Sequence, residues 1–356
     1  WEIADSPASG FAGRALASFG AQVTMLEPQA GSELRCQPPF AAGTSTLFSY
    51  LGADKETRPL MDVPDRDELA GVNVIIHDRL ELPSGWDISI DSAPLPERGR
   101  TVVSVCPYGA SGPKCDWAAS ELSLFQVGGE GYLMPSGLAF SEFPDRSPIG
   151  VGRYAGSYQG GLTTALVAMA GLRSSRRHMA TEWVDVSVQD AQLSLNYFVF
   201  SRYVEGTQEC RANRAFSYGG VVRCADGYVE VVPLEDRQWL GLREMLGDPE
   251  WAHADYFKDS LERASHGDEI NKELATWAAS RLVLEVVKLG VEHGVPVGPY
   301  VSPEDLPSDA QFRSRGFFVD QEGGGQFPGL PVTFDRFSRS NVRPAPKAMG
   351  SVEATR

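Results

Sequence analysis

Apolar positions along the first third of the chain fall into short blocks separated by helical patterns. Phe11 to Phe19 (FAGRALASF) has helical spacing, Gly20 stops it, and Gln22 to Leu26 (QVTML) is an apolar run ending at Glu27-Pro28. Residues 1–30 therefore predict strand, turn, helix, strand. Asp67 to Ala70 predicts the end of a helix, Val72 to Ile76 (VNVII) a buried strand, and Thr101 to Cys106 (TVVSVC) another, closed by Pro107, Tyr108 and Gly109. Strands at this spacing with helical patterns between them predict an open parallel α/β sheet. The Gly10-x-x-Gly13 pair lacks the third glycine of a dinucleotide-binding turn and is not read as one.

From Pro107 to Gly161 the chain is rich in glycine and loops. Gly160 to Gly171 (GGLTTALVAMAG) is small and apolar, as suits a buried helix lying close to another backbone. Trp183 to Val188 alternates like a strand, and Asp190 to Tyr203 has a helical pattern that leaves the first domain. A second unit starts near Tyr218, where Asp226-Gly227 predicts a hairpin between Val221 to Cys224 and Tyr228 to Val232. Helical patterns follow at Asp236 to Leu246 and Asp268 to Leu289, and Gln321 to Gly329 is expected to be a surface loop. The expected division is a large domain over 1–195, a linker over 196–217, a small domain over 218–315, and a return to the large domain over 316–356.

Composition narrows the function classes. The 356 residues carry 47 acidic and 32 basic side chains, a formal net charge of −15, which argues against a general nucleic-acid or anionic-membrane binder. No apolar run approaches the roughly 18 residues of a membrane span. The five cysteines, at 36, 106, 115, 210 and 224, show no C-x-x-C spacing, and they read as free thiols of a reducing compartment. The chain opens at Trp1 with no initiator Met and no charged-then-apolar signal, as a sequence missing its true start would, and the cytoplasm is the default expectation. No zinc motif, P-loop or Gly-x-Ser-x-Gly elbow is present, and the dispersed histidines read as structural or solvated.

The order of several motifs carries more than composition. Gly20-Ala21-x-Val23, Glu27-Pro28 and Leu34-Arg35 are followed by Lys55 and by VIIHDR ending at Arg79. Tyr108-Gly109 with Gly112-Pro113, ELSLFQVGG (121–129) and VDVSVQDA (184–191) come next, then CADGYVEVV, DRQW, LGDPEW and GVPVGPYVSPEDL. In this order they resemble the class III CoA-transferases, the CaiB/BaiF family, which includes formyl-CoA and carnitine CoA-transferases and α-methylacyl-CoA racemases. The resemblance implies a Rossmann-like large domain with an inserted small α/β domain, in an interlocked dimer or a heteromer with a homologue. It implies coenzyme A as co-substrate and a small carboxylic acid or its acyl-CoA thioester as partner. A local cluster of cations must hold the CoA phosphates of such an acidic protein. Arg35, Lys55 and Arg79 match family positions in or near the cleft, and Arg146 is a looser candidate.

The family's chemistry runs through an aspartate that forms a mixed anhydride and then a CoA thioester. With Gly152 and Gly161 set on the family's glycines, the position of that aspartate is Ser157. Residues 147–181 contain no Asp or Glu, so no shift of register restores an acid. Glu121 and Glu130 are the acids that could reach the site in space; read locally, they are a helix-cap acid and a turn acid. The His of the racemase G-H-D segment is Ser120 here, which leaves that branch without its proton-transfer pair. Three readings stay open: a lyase, isomerase or hydratase on the same fold, a non-catalytic subunit paired with an Asp-bearing paralogue, and a transferase with serine substituted for its aspartate.

Overall fold

The computed structural model describes residues 1–3, 5–134, 143–147, 149–150, 152–195, 203–204, 206, 218–321, 325–329, 331–335 and 341–348. The first helix, α1 (Pro7–Ser18), begins four residues before its apolar pattern because Ser6 caps it and Pro7 sits in its first turn. Around it run β1 (Glu2–Ile3), β2 (Thr24–Glu27), β3 (Glu56–Pro59), β4 (Val74–His77), β5 (Thr101–Cys106) and β6 (Glu182–Ser187). They form one parallel sheet in the order β3-β2-β1-β4-β5-β6. This is the doubly wound Rossmann order, which reverses between β1 and β4. All of β5 is buried, which explains its unbroken apolar run.

One face of the sheet is covered by α1 and by the long helix α6 (Ala155–His178), with α2 (Thr46–Leu51) packed beside α1. Ala8, Ala12 and Ala168 meet Ile76, Val103 and Val105 in this core. The two helices approach closely because the contact is made of small residues. A Cβ at Gly161 would come within 2.4 Å of the Ala8 carbonyl oxygen. On the other face, Trp86 and Ile90 of α4 (Trp86–Ser92), which follows the single-turn α3 (Arg66–Leu69), pack on Ile3, Ile75 and Val102. Two further helices bear on the site, α5 (Glu121–Val127) and α7 (Val188–Leu195), the second continuing directly from β6.

The chain divides into two compact units, one of Trp1–Gly131, Gly150–Ser201 and Ala310–Arg356, the other of Tyr132–Ile149 and Arg202–Asp309. The expected linker lies largely outside the described residues, and so does Cys210. In the second unit, β7 (Gly220–Arg223) and β8 (Tyr228–Val231) pair antiparallel across the Asp226-Gly227 turn, and β9 (Val297–Pro299) joins the far side of β8. Helix α8 (Asp236–Met245) packs Trp239 and Leu242 into a core with Val229, Phe257 and Leu274.

Two expectations are corrected. The run Asp268 to Leu289 is two helices, α9 (Gly267–Ala278) and α10 (Val283–Glu292). The break is set by the hairpin, since the Arg281 carbonyl accepts the Ala225 amide at 2.9 Å and the Asp226 carboxylate accepts the Val283 amide at 2.8 Å. The segment Gln321 to Gly329 is no simple loop: β10 (Phe318–Gln321) pairs antiparallel with β11 (Gln326–Pro328) and parallel with β12 (Asn341–Val342).

Candidate active site

The chain enters α6 through left-handed backbone at Gly152 (φ 34°) and Tyr154 (φ 63°), and Tyr154 gives the helix no side-chain cap. The amides of its first turn therefore need an acceptor from elsewhere. Glu121 supplies it. One carboxylate oxygen accepts the amides of Gly156 at 2.7 Å and Ser157 at 3.1 Å, and the other accepts the Ser157 hydroxyl at 2.5 Å. Ser157 is 5% exposed, whereas Glu121 is only partly buried. Glu121 is free for this task because Ser120 caps α5 by accepting the Ser123 amide, and Ser123 in turn accepts the Ser120 amide. The local reading of Glu121 as a helix-cap acid thus holds for α6, across 35 residues of sequence, and not for its own helix. Glu130 opens a short 3-10 turn (Glu130–Leu133) and makes no hydrogen bond to Ser157.

Beside this turn lies Gln192 of α7, which is completely buried. Neither its side-chain oxygen nor its nitrogen has a hydrogen-bond partner among the described residues. Its amide is nested between Gly156 and Gly128, at each of which a Cβ would sit 2.3 Å from it. A buried amide without partners is costly, about 1–3 kcal/mol for each unsatisfied group, and calls for an explanation.

The start of α1 has a similar arrangement. Asp78, just after β4, accepts the amides of Asp5 at 2.7 Å and Ser6 at 2.5 Å and the Ser9 hydroxyl at 3.1 Å. This helix start follows β1 at the switch point, where doubly wound nucleotide-binding folds hold a phosphate. A carboxylate occupies it here, in keeping with the missing third glycine.

Within the first unit, the structure commits two of the expected cations, Lys55 and Arg35, to contacts of the fold. Lys55 is sealed inside, its ammonium 2.6 Å from Glu2 and 2.9 Å from the Gly10 carbonyl, so it ties β1 to α1. Burial pushes the Lys55 pKa down and that of Glu2 up. Arg35 grips Glu27 with two bonds of 2.7 Å, donates to the Pro346 carbonyl at 2.9 Å and lies over the Phe48 ring. Arg79, after the carboxyl end of β4, is exposed, and its guanidinium has no partner among the described residues. Arg146 is exposed in the second unit.

Next to Arg79 in sequence, His77 and Leu80 line a cleft of about 800 Å³ with Ser104, Trp183 and Asp185. Asp185 of the V-D-V-S motif accepts the Ser104 hydroxyl at 2.8 Å and the Ala110 amide at 2.9 Å, which holds the Tyr108-Gly109 loop in place. At the end of β5, burial and then Asp185 and Asp78 push the Cys106 thiol up to about 11, so it is not a nucleophile at neutral pH.

Comparison with known proteins decides the family. The model of CoA-transferase family III matches residues 98–351, well over half of the chain. The chain belongs to CoA-transferase family III. The probable CoA-transferase Rv1866 of Mycobacterium tuberculosis is 27% identical over 87% of this chain, which spans only 40% of that protein's length. The succinyl-CoA–D-citramalate CoA-transferase of Chloroflexus aurantiacus is 25% identical over 86% of this chain and 78% of its own. Among solved structures, the hypothetical protein Rv3272 of M. tuberculosis superposes with a TM-score of 0.79 at 19% identity, covering 98% of this chain and 94% of that one. The last likeness concerns the fold alone.

Glu121 and Ser157 were accessible to sequence reasoning, one as a nearby acid and the other through the family register. Asp78 and Gln192 were missed. Asp78 follows a buried strand, a signal that was present, whereas the setting of Gln192 depends on two glycines far apart in sequence.

Proposed function

We propose that this family III chain binds coenzyme A or an acyl-CoA and acts on a small carboxylic acid or its thioester, with Ser157 in the place of the family's aspartate. The observation that supports this reading is the Glu121 carboxylate on the first turn of α6. The route that the family resemblance implies runs through a carboxylate, and this position presents one although residue 157 does not. Ser157 then orients rather than attacks, since its hydroxyl is buried and already committed to Glu121. Arg79 is the cation we assign to a CoA phosphate, because Lys55 and Arg35 are engaged within the fold.

Calorimetric titration with free CoA tests this. The wild type binds, and Arg79→Ala weakens binding by about 1.5–3 kcal/mol, roughly 10- to 150-fold, if the guanidinium bonds to phosphate. Unchanged affinity in Arg79→Ala would remove that assignment. A second reading, in which the chain works paired with a homologue, is supported by its likeness to both the alpha and the beta subunit of the succinyl-CoA–L-malate CoA-transferase of Chloroflexus aurantiacus. In that case the isolated chain binds CoA but transfers nothing until the homologue is added.

A further inference from the structure

We propose that Glu121 is the catalytic carboxylate of this chain, carrying first the acyl group and then CoA. The proposal rests on the reading of the chain as a CoA-binding member of family III. Residues 147–181 hold no acid, and Glu121 is the carboxylate that reaches Ser157 among the described residues. It is held by two amides and a hydroxyl, so its orientation is fixed before any substrate arrives. It is also partly exposed where Ser157 is not.

Gln192 supplies the independent observation. Its fully buried amide lies against Gly156, whose N–H holds Glu121, and it lacks any partner among the described residues. A cap that served stability alone would gain nothing from an unpaired amide at its side. An oxyanion forming at Glu121 Cδ would use the spare N–H.

The chemistry balances without a further reactant. A Glu121 oxygen attacks the thioester carbonyl, the C–S bond breaks, and CoA leaves as thiolate with the electron pair. That thiolate attacks Glu121 Cδ, the anhydride C–O bond breaks, and the donor acid departs as carboxylate, leaving a Glu121–CoA thioester. The acceptor carboxylate then attacks Cδ and expels the thiolate, which takes the acceptor acyl group and restores the Glu121 carboxylate.

The test is incubation of the full chain with acetyl-CoA, trapping with hydroxylamine, and peptide mass spectrometry, with calorimetric titration of CoA on the same preparations. The expected result is a hydroxamate at Glu121, lost in Glu121→Gln and, in Ser157→Ala, weaker but still located on Glu121. Glutamine retains an acceptor for both amides, so the fold of α6 survives that change. If Glu121→Gln nevertheless unfolds, the site of labelling in the wild type and in Ser157→Ala still decides. CoA binding without label, or label at another residue, overturns the role of Glu121 and leaves the CoA-binding reading standing. Absence of CoA binding overturns both.

Discussion

Acids borrowed from elsewhere in the chain close two helix starts, Asp78 at α1 and Glu121 at α6. Both positions gain from the positive end of the helix dipole and from amides that have no acceptor within the helix. Glu27 shows opposing effects in its titration. Burial pushes its pKa up, but the bonds from Arg35, Thr57 and the Ser32 amide hold it below the usual carboxylate value. A depressed folded pKa adds stability above the unfolded value of about 4.3 and loses it as pH falls through the folded value. Glu27→Gln is therefore expected to unfold at lower urea concentration than the wild type at pH 7, the gap narrowing at the acid end. A gap that stays constant down to acid pH would contradict this. Thiol labelling offers a second check: exposed Cys36 reacts at neutral pH, while Cys106 stays protected until the pH nears about 11. Fast labelling of Cys106 in the folded chain at pH 7.5 would count against that.

Among the elements, the α1–α6 contact fixes where the site lies. Its small residues let α6 run along α1, which brings the start of α6 to α5 and α7. Gly161→Ala would set a methyl 2.4 Å from a backbone oxygen, which cannot swing aside as a side chain could. We expect a loss of about 1–3 kcal/mol in urea unfolding, and a loss below about 0.5 would show the contact to be looser. Much of this layer was legible in the sequence, because buried parallel strands such as β5 are unbroken apolar runs and small residues mark close helix packing. The break between α9 and α10 was not legible, since a distant hairpin sets it through Arg281 and Asp226. The pairing of β10 with β11 was hidden by a glycine-rich stretch whose backbone partners do not show in side-chain pattern. The site was legible in part. The family register led to Ser157, but the capture of its hydroxyl by Glu121 and the sealing of Lys55 depend on the three-dimensional path.

At the scale of the whole molecule, family III membership and a parallel sheet of Rossmann order agree, and the return of the chain to the first unit is anchored by Arg343 on Asp54 and by Pro346 on Arg35. The resemblance leads us to expect an interlocked pair, for which light scattering should give twice the mass of one chain. A single-chain mass would favour pairing with a homologue instead. No helix among the described residues is long and apolar enough to cross a membrane. In this chain the carboxylate at the start of α6 comes from α5. Hydrogen exchange resolved at the Gly156 and Ser157 amides tests that most directly, because these amides have no acceptor within the helix and Glu121 is their acceptor among the described residues. Exchange should be slow in the wild type and in Glu121→Gln and fast in Glu121→Ala; equal protection in Glu121→Ala and the wild type would contradict the account.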